Sequence, residues 1–142
     1  MEAIKDFQEV FGADSRIKMS SEYQGIKIPE ALKSEICRKI VLYLEEQKVY
    51  LDPHLTLAKL SSMIGTNTAY LSSMVNFVYK CNLPTLINRY RIGYARQMMV
   101  TDNINIKDVY TKCGFVSRSA FYKAFQKETG TTPSIFVKQL NR

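Results

Sequence analysis

The chain repeats one pattern, first as LAKLSSMIGTNTAYLSSMV at residues 57–75 and again as IKDVYTKCGFVSRSAFYKAF at residues 106–125. The apolar positions before the shared glycine recur 49 residues later, and those after it recur 50 residues later because the second turn is one residue longer. An internal repeat identifies the unit from which a fold is built. Each copy has apolar residues at three- and four-residue steps on both sides of a glycine. This pattern predicts two short helices joined by a tight turn, which is a helix-turn-helix.

Helical periodicity continues outside the repeats and predicts an all-α fold. The fold has two helix-turn-helix subdomains joined by a long central helix, preceded by an N-terminal helix and a linker. We place the elements at 1–28 (a linker or the remnant of an upstream region), 29–54 (an N-terminal docking helix), 56–83 (the first helix-turn-helix), 84–101 (the connecting helix) and 105–140 (the second helix-turn-helix).

Side chains that favour helix ends and turns mark these boundaries. The expected N-caps are Thr56, Thr66 or Asn67, Asn105 and Ser117, and Thr132 with Pro133 opens the last helix. Within the first 28 residues, the spacing of Ile4, Phe7, Val10 and Phe11 favours a short amphipathic helix, and Asp102 with Asn103 favours a turn after the connecting helix.

Positive charge is concentrated in the repeated half of the chain. The formal net charge is +7, with −2 in residues 1–54 and +9 in residues 55–142. A basic excess of this kind attracts polyanions, of which nucleic acid is the commonest soluble example. The alternative interpretation is an ordinary solvated basic surface.

Other classes of protein find little support in the composition. Three widely spaced cysteines and a single histidine provide neither a usual zinc site nor a disulfide framework, and they indicate a reducing compartment. No apolar run is long enough to span a membrane, and the N-terminus does not resemble a signal peptide. The basic half has three acidic residues, no histidine and no glycine-rich phosphate loop. We therefore expect no enzyme, no catalytic residue, no metal and no cofactor. We expect a cytoplasmic protein; if it is tethered to a membrane, the anchor lies in a region outside this chain.

The second helix of a helix-turn-helix enters the major groove of DNA, so its outward residues are the candidate contacts. In the first unit these are Thr68, Ala69, Ser72, Ser73 and Asn76, and in the second they are Ser117, Arg118, Ser119, Tyr122, Lys123 and Lys127. The first set is small and uncharged, which predicts phosphate, thymine-methyl or water-mediated contacts. The second set has a guanidinium in its first turn, which predicts sharper base readout. Arg91 on the connecting helix is a further candidate for phosphate contact. The alternative for Arg118 and Lys123 is ordinary surface charge.

These residues also resemble a known family. The run Gly114-Phe115-Val116-Ser117, followed by Phe121, Phe125, Gly130, Thr132 and Pro133, resembles the C-terminal signature of AraC/XylS-type transcription regulators. The upstream residues Asn88, Arg89, Tyr90, Arg91 and Ala95 resemble the linker helix of that family. The resemblance covers about 88 residues, 55–142. Lys80 departs from the pattern, because it stands where the family and the second repeat have glycine. It therefore predicts a different or strained end of the helix.

The resemblance implies a transcription regulator that binds a specific sequence of double-stranded DNA. Activation is the expected mode, as is usual in that family. The two recognition helices of the regulator would enter successive major grooves on one face of the duplex. RNA polymerase is the expected protein partner, and an upstream sensor region outside this chain is the expected source of input. No small-molecule ligand is predicted in these residues. The competing hypothesis is a basic helical interaction module that docks a transcription partner instead of DNA.

Overall fold

The computed structural model describes residues 27–101 and 104–141. Its α-helices are α1 (Glu30–Val41), α2 (Leu57–Ile64), α3 (Thr68–Tyr79), α4 (Leu83–Thr101), α5 (Ile106–Lys112), α6 (Arg118–Thr129) and α7 (Pro133–Leu140). No strand occurs in these described ranges, and the predicted all-α class is confirmed. The expected helix around Ile4–Phe11 and the expected turn at Asp102 and Asn103 lie outside the described residues.

The N-terminal helix continues beyond its α-helical part. A π-helical turn at Leu42–Glu46 follows α1, and a 3-10 turn at Val49–Leu51 comes next. Helix α1 packs against α2 and α3. The Lys39 ammonium donates to the Ile64 carbonyl at 3.0 Å, and the Tyr43 hydroxyl donates to the Met63 carbonyl at 3.0 Å. Side chains from α1 and from the π-helical turn thus satisfy carbonyls that the last turn of α2 leaves without helical partners.

The chain forms two compact units. The described part of the first consists of residues 27–49 and 55–86, and that of the second consists of residues 50–54 and 87–141. Residues 50–54, called here the upstream segment, therefore belong to the second unit although they precede the first helix-turn-helix. Most of α4 also belongs to the second unit, since the division falls after Leu86.

Helix ends in the first unit follow the predicted side chains. The Thr56 hydroxyl accepts from the Lys59 amide, and the Asn67 side chain accepts from the Tyr70 amide at 2.8 Å. Gly65 closes α2 in the left-handed conformation, at φ 88°. These caps fix where the turn lies between α2 and α3, and hence which residues begin α3.

Lys80 ends α3 in the left-handed conformation, with φ 60° and ψ 31°. The corresponding residue of the second unit is Gly130, at φ 78°. The lysine thus adopts the same cap geometry as the glycine, at a conformational cost of about 1–2 kcal/mol. Its ammonium lies 4.8 Å from the centre of the Phe77 ring, which offsets part of that cost.

The second unit is built around an aromatic core. The side chains of Phe121 and Phe125 are fully buried on α6, and the rings of Phe115, Phe121, Phe125 and Phe136 meet edge to face in sequence. Helix α4 adds Ile92, Ala95, Met98 and Met99 to the same core. Side-chain caps again begin the helices, at Asn105, Ser117 and Thr132. The aromatic core therefore fixes which face of α6 is turned outward.

Candidate nucleic-acid interface

Helix α3 has a buried apolar face and an outward polar face. Leu71, Met74, Val75 and Val78 are buried. Thr68, Ala69 and Asn76 are exposed, and Ser72 and Ser73 are half-buried. The Asn76 amide donates to the Ser72 carbonyl at 2.8 Å, so its side-chain oxygen remains available as an acceptor. The residues chosen from the sequence thus share one accessible face.

Helix α6 has the same division. Arg118, Ser119, Lys123 and Lys127 are exposed, and Tyr122 is half-buried with its ring 5.8 Å from that of Phe121. The Ser117 hydroxyl accepts from the Ala120 amide at 3.1 Å and caps the helix, so its own hydrogen can still be donated. The structure therefore gathers the second predicted set at the start and along the outer face of one helix.

The two faces match position by position with an offset of 50 residues. Thr68, Ala69, Ser72, Ser73 and Asn76 correspond to Arg118, Ser119, Tyr122, Lys123 and Gln126. Gln126 is exposed on α6 and was not among the residues predicted from the sequence. The sequence repeat could have identified Gln126, because Asn76 was predicted and Gln126 is its counterpart in the second unit.

Val116 is a second residue missed by sequence reasoning. Its side chain is 65% exposed, although it is a large apolar group next to the core residue Phe115. It directly precedes Ser117, the N-cap of α6. An apolar group held in solvent at this point lies beside Arg118 at the start of the predicted recognition helix. It is therefore a candidate for contact with a thymine methyl.

The charge of the two faces differs sharply. Helix α3 has no charged residue in its twelve positions. Helix α6 has three cations, Arg118, Lys123 and Lys127, and one anion, Glu128. The carboxylate of Glu128 lies 3.5 Å from Arg89 and is directed toward α4. The outward surface of α6 therefore provides a positive field that α3 does not.

Arg91 does not lie at the surface as the phosphate-contact hypothesis requires. Its side chain is 8% exposed, and its guanidinium donates to the carbonyls of Tyr50 at 2.6 Å and Asp52 at 2.9 Å. A long, flexible stem allows an arginine on a helix to turn inward or outward, and periodicity alone does not distinguish the two. We therefore assign Arg91 to the interior of the second unit and remove it from the candidate interface.

Two helix-turn-helix units with accessible polar faces on their second helices, one of them strongly basic, define a helical protein of the DNA-binding class. A family model described as a helix-turn-helix domain matches residues 60–139. The chain belongs to this family, the AraC-type helix-turn-helix regulators, whose members are DNA-binding transcription regulators.

Individual relatives agree with this assignment. The chain is 25% identical over 96 residues to the HTH-type transcriptional regulator ExsA of Pseudomonas aeruginosa, covering 65% of this chain and 34% of that protein. It is 28% identical over 78 residues to the virulence regulon transcriptional activator VirF of Yersinia enterocolitica, covering 55% and 29%. The chain thus spans about a third of the length of these curated relatives.

A solved structure supports the fold. The C-terminal domain of AraT, a response regulator from Geobacillus stearothermophilus, superposes with a TM-score of 0.66 at 21% identity, covering 74% of this chain and 84% of that domain. Within residues 27–101 and 104–141, no helix combines the length and apolar character needed to cross a bilayer.

Proposed function

We propose that this chain regulates transcription by binding a specific double-stranded DNA site, with α3 and α6 inserted into successive major grooves. The observation that carries the proposal is the pair of matched outward faces, which present the same five helical positions 50 residues apart. A major groove about 12 Å wide admits one α-helix. Two such helices from one chain would read an asymmetric site of two parts.

The two units have different tasks in this proposal. Helix α3 makes uncharged contacts through its hydroxyls, the Ala69 methyl and the Asn76 amide, and it discriminates weakly. Helix α6 supplies most of the electrostatic affinity through Lys123 and Lys127. Arg118 pairs with guanine O6 and N7, and Gln126 extends the reading face by one turn.

The wider setting rests on the relatives. VirF of Yersinia enterocolitica is named a transcriptional activator, and we propose activation for this chain too, with RNA polymerase as the protein partner. An upstream sensor region would supply the input, because the chain spans about a third of its relatives. The proposed compartment is the cytoplasm, where the DNA of a bacterial regulator resides.

The test begins by selecting bound duplexes from a random pool with the whole chain. Arg118→Ala should then weaken binding to the selected site by about 1–3 kcal/mol and change random-duplex binding little. Lys138→Ala is the matched control, because it removes an exposed cation from α7 in the same unit.

Each contrary result has a distinct meaning. Equal losses on selected and random duplexes would reassign Arg118 to phosphate positioning. If the unaltered chain binds no duplex even at low salt, the proposed function fails, and the protein-docking alternative takes its place.

A further inference from the structure

We infer that Arg91 is a positioning residue for α6, holding the upstream segment against the turn from which that helix starts. The inference rests on the proposed function, because it concerns how the second recognition helix is aimed. Nothing in the family match requires it, since the upstream segment lies outside the matched residues 60–139.

Arg91 joins parts of the chain that are distant in sequence. Its Nε donates to the Tyr50 carbonyl across 41 positions, and its terminal nitrogen donates to the Asp52 carbonyl across 39 positions. A planar guanidinium can donate to two fixed carbonyls at once, whereas a lysine ammonium cannot reproduce that fork. Arg91 therefore fixes both the distance and the direction of the upstream segment.

Aromatic stacking holds the same segment on the same helix. The Tyr50 ring stacks on Tyr90 with 5.4 Å between ring centres, and it meets Tyr94 edge to face at 6.2 Å. Tyr50 is buried. The buried Tyr50 ring thus anchors the upstream segment to α4.

The turn before α6 fits closely over this segment. Gly114 has φ 97°, and a Cβ built there would lie 2.5 Å from the Tyr50 carbonyl oxygen and 2.9 Å from Arg91 Nε. Only a residue without a side chain allows the backbone to approach this far. The turn is therefore seated directly on the Arg91 hydrogen bond.

A chain of contacts leads from Arg91 to the recognition helix. The guanidinium carbon lies 5.5 Å from the centre of the Phe115 ring, which meets Phe121 of α6 edge to face at 5.5 Å. Ser117, two residues after Phe115, is the N-cap of α6. A change at Arg91 thus reaches the first turn of α6 through Phe115, without any contact between Arg91 and DNA.

Burial gives the interaction its strength. Desolvation lowers the pKa of Arg91, while Cys113 and Asp52 act in the opposite direction. A guanidinium still remains protonated in proteins, so two backbone carbonyls solvate a buried cation. Replacing the guanidinium leaves the Tyr50 and Asp52 carbonyls without these donors. We therefore expect the upstream segment to be held less tightly against α4.

The test compares Arg91→Lys and Arg91→Met with Arg96→Met in the whole chain. The control removes an exposed cation from the same helix, where it lies over the Phe136 ring of α7 and not against α6. Binding is measured on the selected duplex and on duplexes altered separately in each half of the site, at several salt concentrations. Amide hydrogen exchange of residues 117–123 is followed without DNA, so that this arm does not depend on DNA binding.

We expect Arg91→Lys to lower specific affinity about tenfold, as loss of one charge-assisted hydrogen bond would. Discrimination should fall in the half of the site read by α6 and stay intact in the other half. The salt dependence of Arg91→Met, which removes the charge, should not change, because Arg91 does not touch phosphate. Amides in the first turn of α6 should exchange about tenfold faster, for the same energetic reason.

Three results would overturn the inference. A salt slope reduced by about 0.9 in Arg91→Met, with equal losses on all duplexes, would make Arg91 a phosphate contact. If less of the variant protein is folded and able to bind, but base discrimination and amide exchange at residues 117–123 are unchanged, Arg91 only stabilises the fold. If Arg91→Met behaves like Arg96→Met in binding and in exchange, Arg91 has no special role in positioning α6. If Arg91→Met does not fold, base discrimination and amide exchange in Arg91→Lys decide, because lysine removes the two-carbonyl hydrogen bonding and keeps the charge. If the unaltered chain binds no duplex, the proposed function fails and the exchange measurement decides alone.

Discussion

Replacing Gly114 with alanine should destabilise the second unit far more than the same change at two other glycines. Gly65, Gly114 and Gly130 all have positive φ, at 88°, 97° and 78°. A Cβ at Gly65 or Gly130 would meet nothing within 4 Å, whereas at Gly114 it would lie 2.5 Å from a backbone oxygen. The three variants thus separate the cost of the backbone conformation from the cost of the close approach.

The expected magnitudes follow from these surroundings. A left-handed alanine costs about 1–2 kcal/mol, of which about 0.4–1 kcal/mol is recovered because the unfolded chain becomes stiffer. Gly65→Ala and Gly130→Ala should therefore lower the free energy of unfolding by about 0.5–1 kcal/mol. At Gly114 the upstream segment must also withdraw, which weakens the Arg91 hydrogen bond and adds about 1.5–3 kcal/mol. The total is about 2–4 kcal/mol.

Urea and thermal unfolding, followed by circular dichroism, measure the difference in stability between Gly114→Ala and the two control variants. At about 3 °C per kcal/mol for a chain of this size, Gly114→Ala should lower the Tm by roughly 6–12 °C and the two controls by roughly 2–3 °C. If Gly114→Ala unfolds within 1 kcal/mol of the controls, the close seating of the turn on the upstream segment is refuted.

Three further predictions concern single side chains. Replacing thymine with uracil at the base beside Val116 removes one methyl, and it should weaken binding by about 0.8 kcal/mol in the unaltered chain but not in Val116→Ala; equal losses in both would exclude the contact. Changing Lys123 and Lys127 together to alanine should reduce the slope of log affinity against log salt by about 1.8, or 0.9 for each phosphate, and an unchanged slope would show that neither lysine meets phosphate. Burial raises the pKa of Cys113 from its ordinary 9.0 to about 12, so the native state holds this proton more tightly than the unfolded state. The resulting stability is fully present below pH 9 and lost as the pH rises toward 12; urea unfolding at pH 8 and pH 10 should show the fall, and a Cys113→Ala variant that falls equally would assign it to other groups.

The helix ends could be predicted because they depend on local chemistry. Thr56, Asn67 and Ser117 each precede an apolar helical pattern, and the side chain of each accepts a hydrogen bond from the backbone amide three residues later, as an N-cap does. The buried faces of α3 and α6 followed from spacing for the same reason. Apolar residues that recur every three or four positions predict which side of a helix faces the core.

The role of Arg91 could not be predicted, because it depends on contacts across about forty residues. Periodicity placed it on α4 but did not show whether its guanidinium faced solvent or carbonyls elsewhere in the chain. The membership of the upstream segment in the second unit was hidden for the same reason. Tyr50 lies within the segment predicted as the docking helix, 29–54, and nothing local indicates that its ring stacks on Tyr90.

The most direct test of the central claim is hydroxyl-radical footprinting of the unaltered chain on a selected duplex. Two helix-turn-helix units reading one side of DNA should protect two patches on the same face, with centres about one helical turn, or 10–10.5 base pairs, apart. Arg118→Ala should weaken one patch more than the other. A single patch, or two patches offset by half a turn, would contradict the claim that α3 and α6 enter successive major grooves.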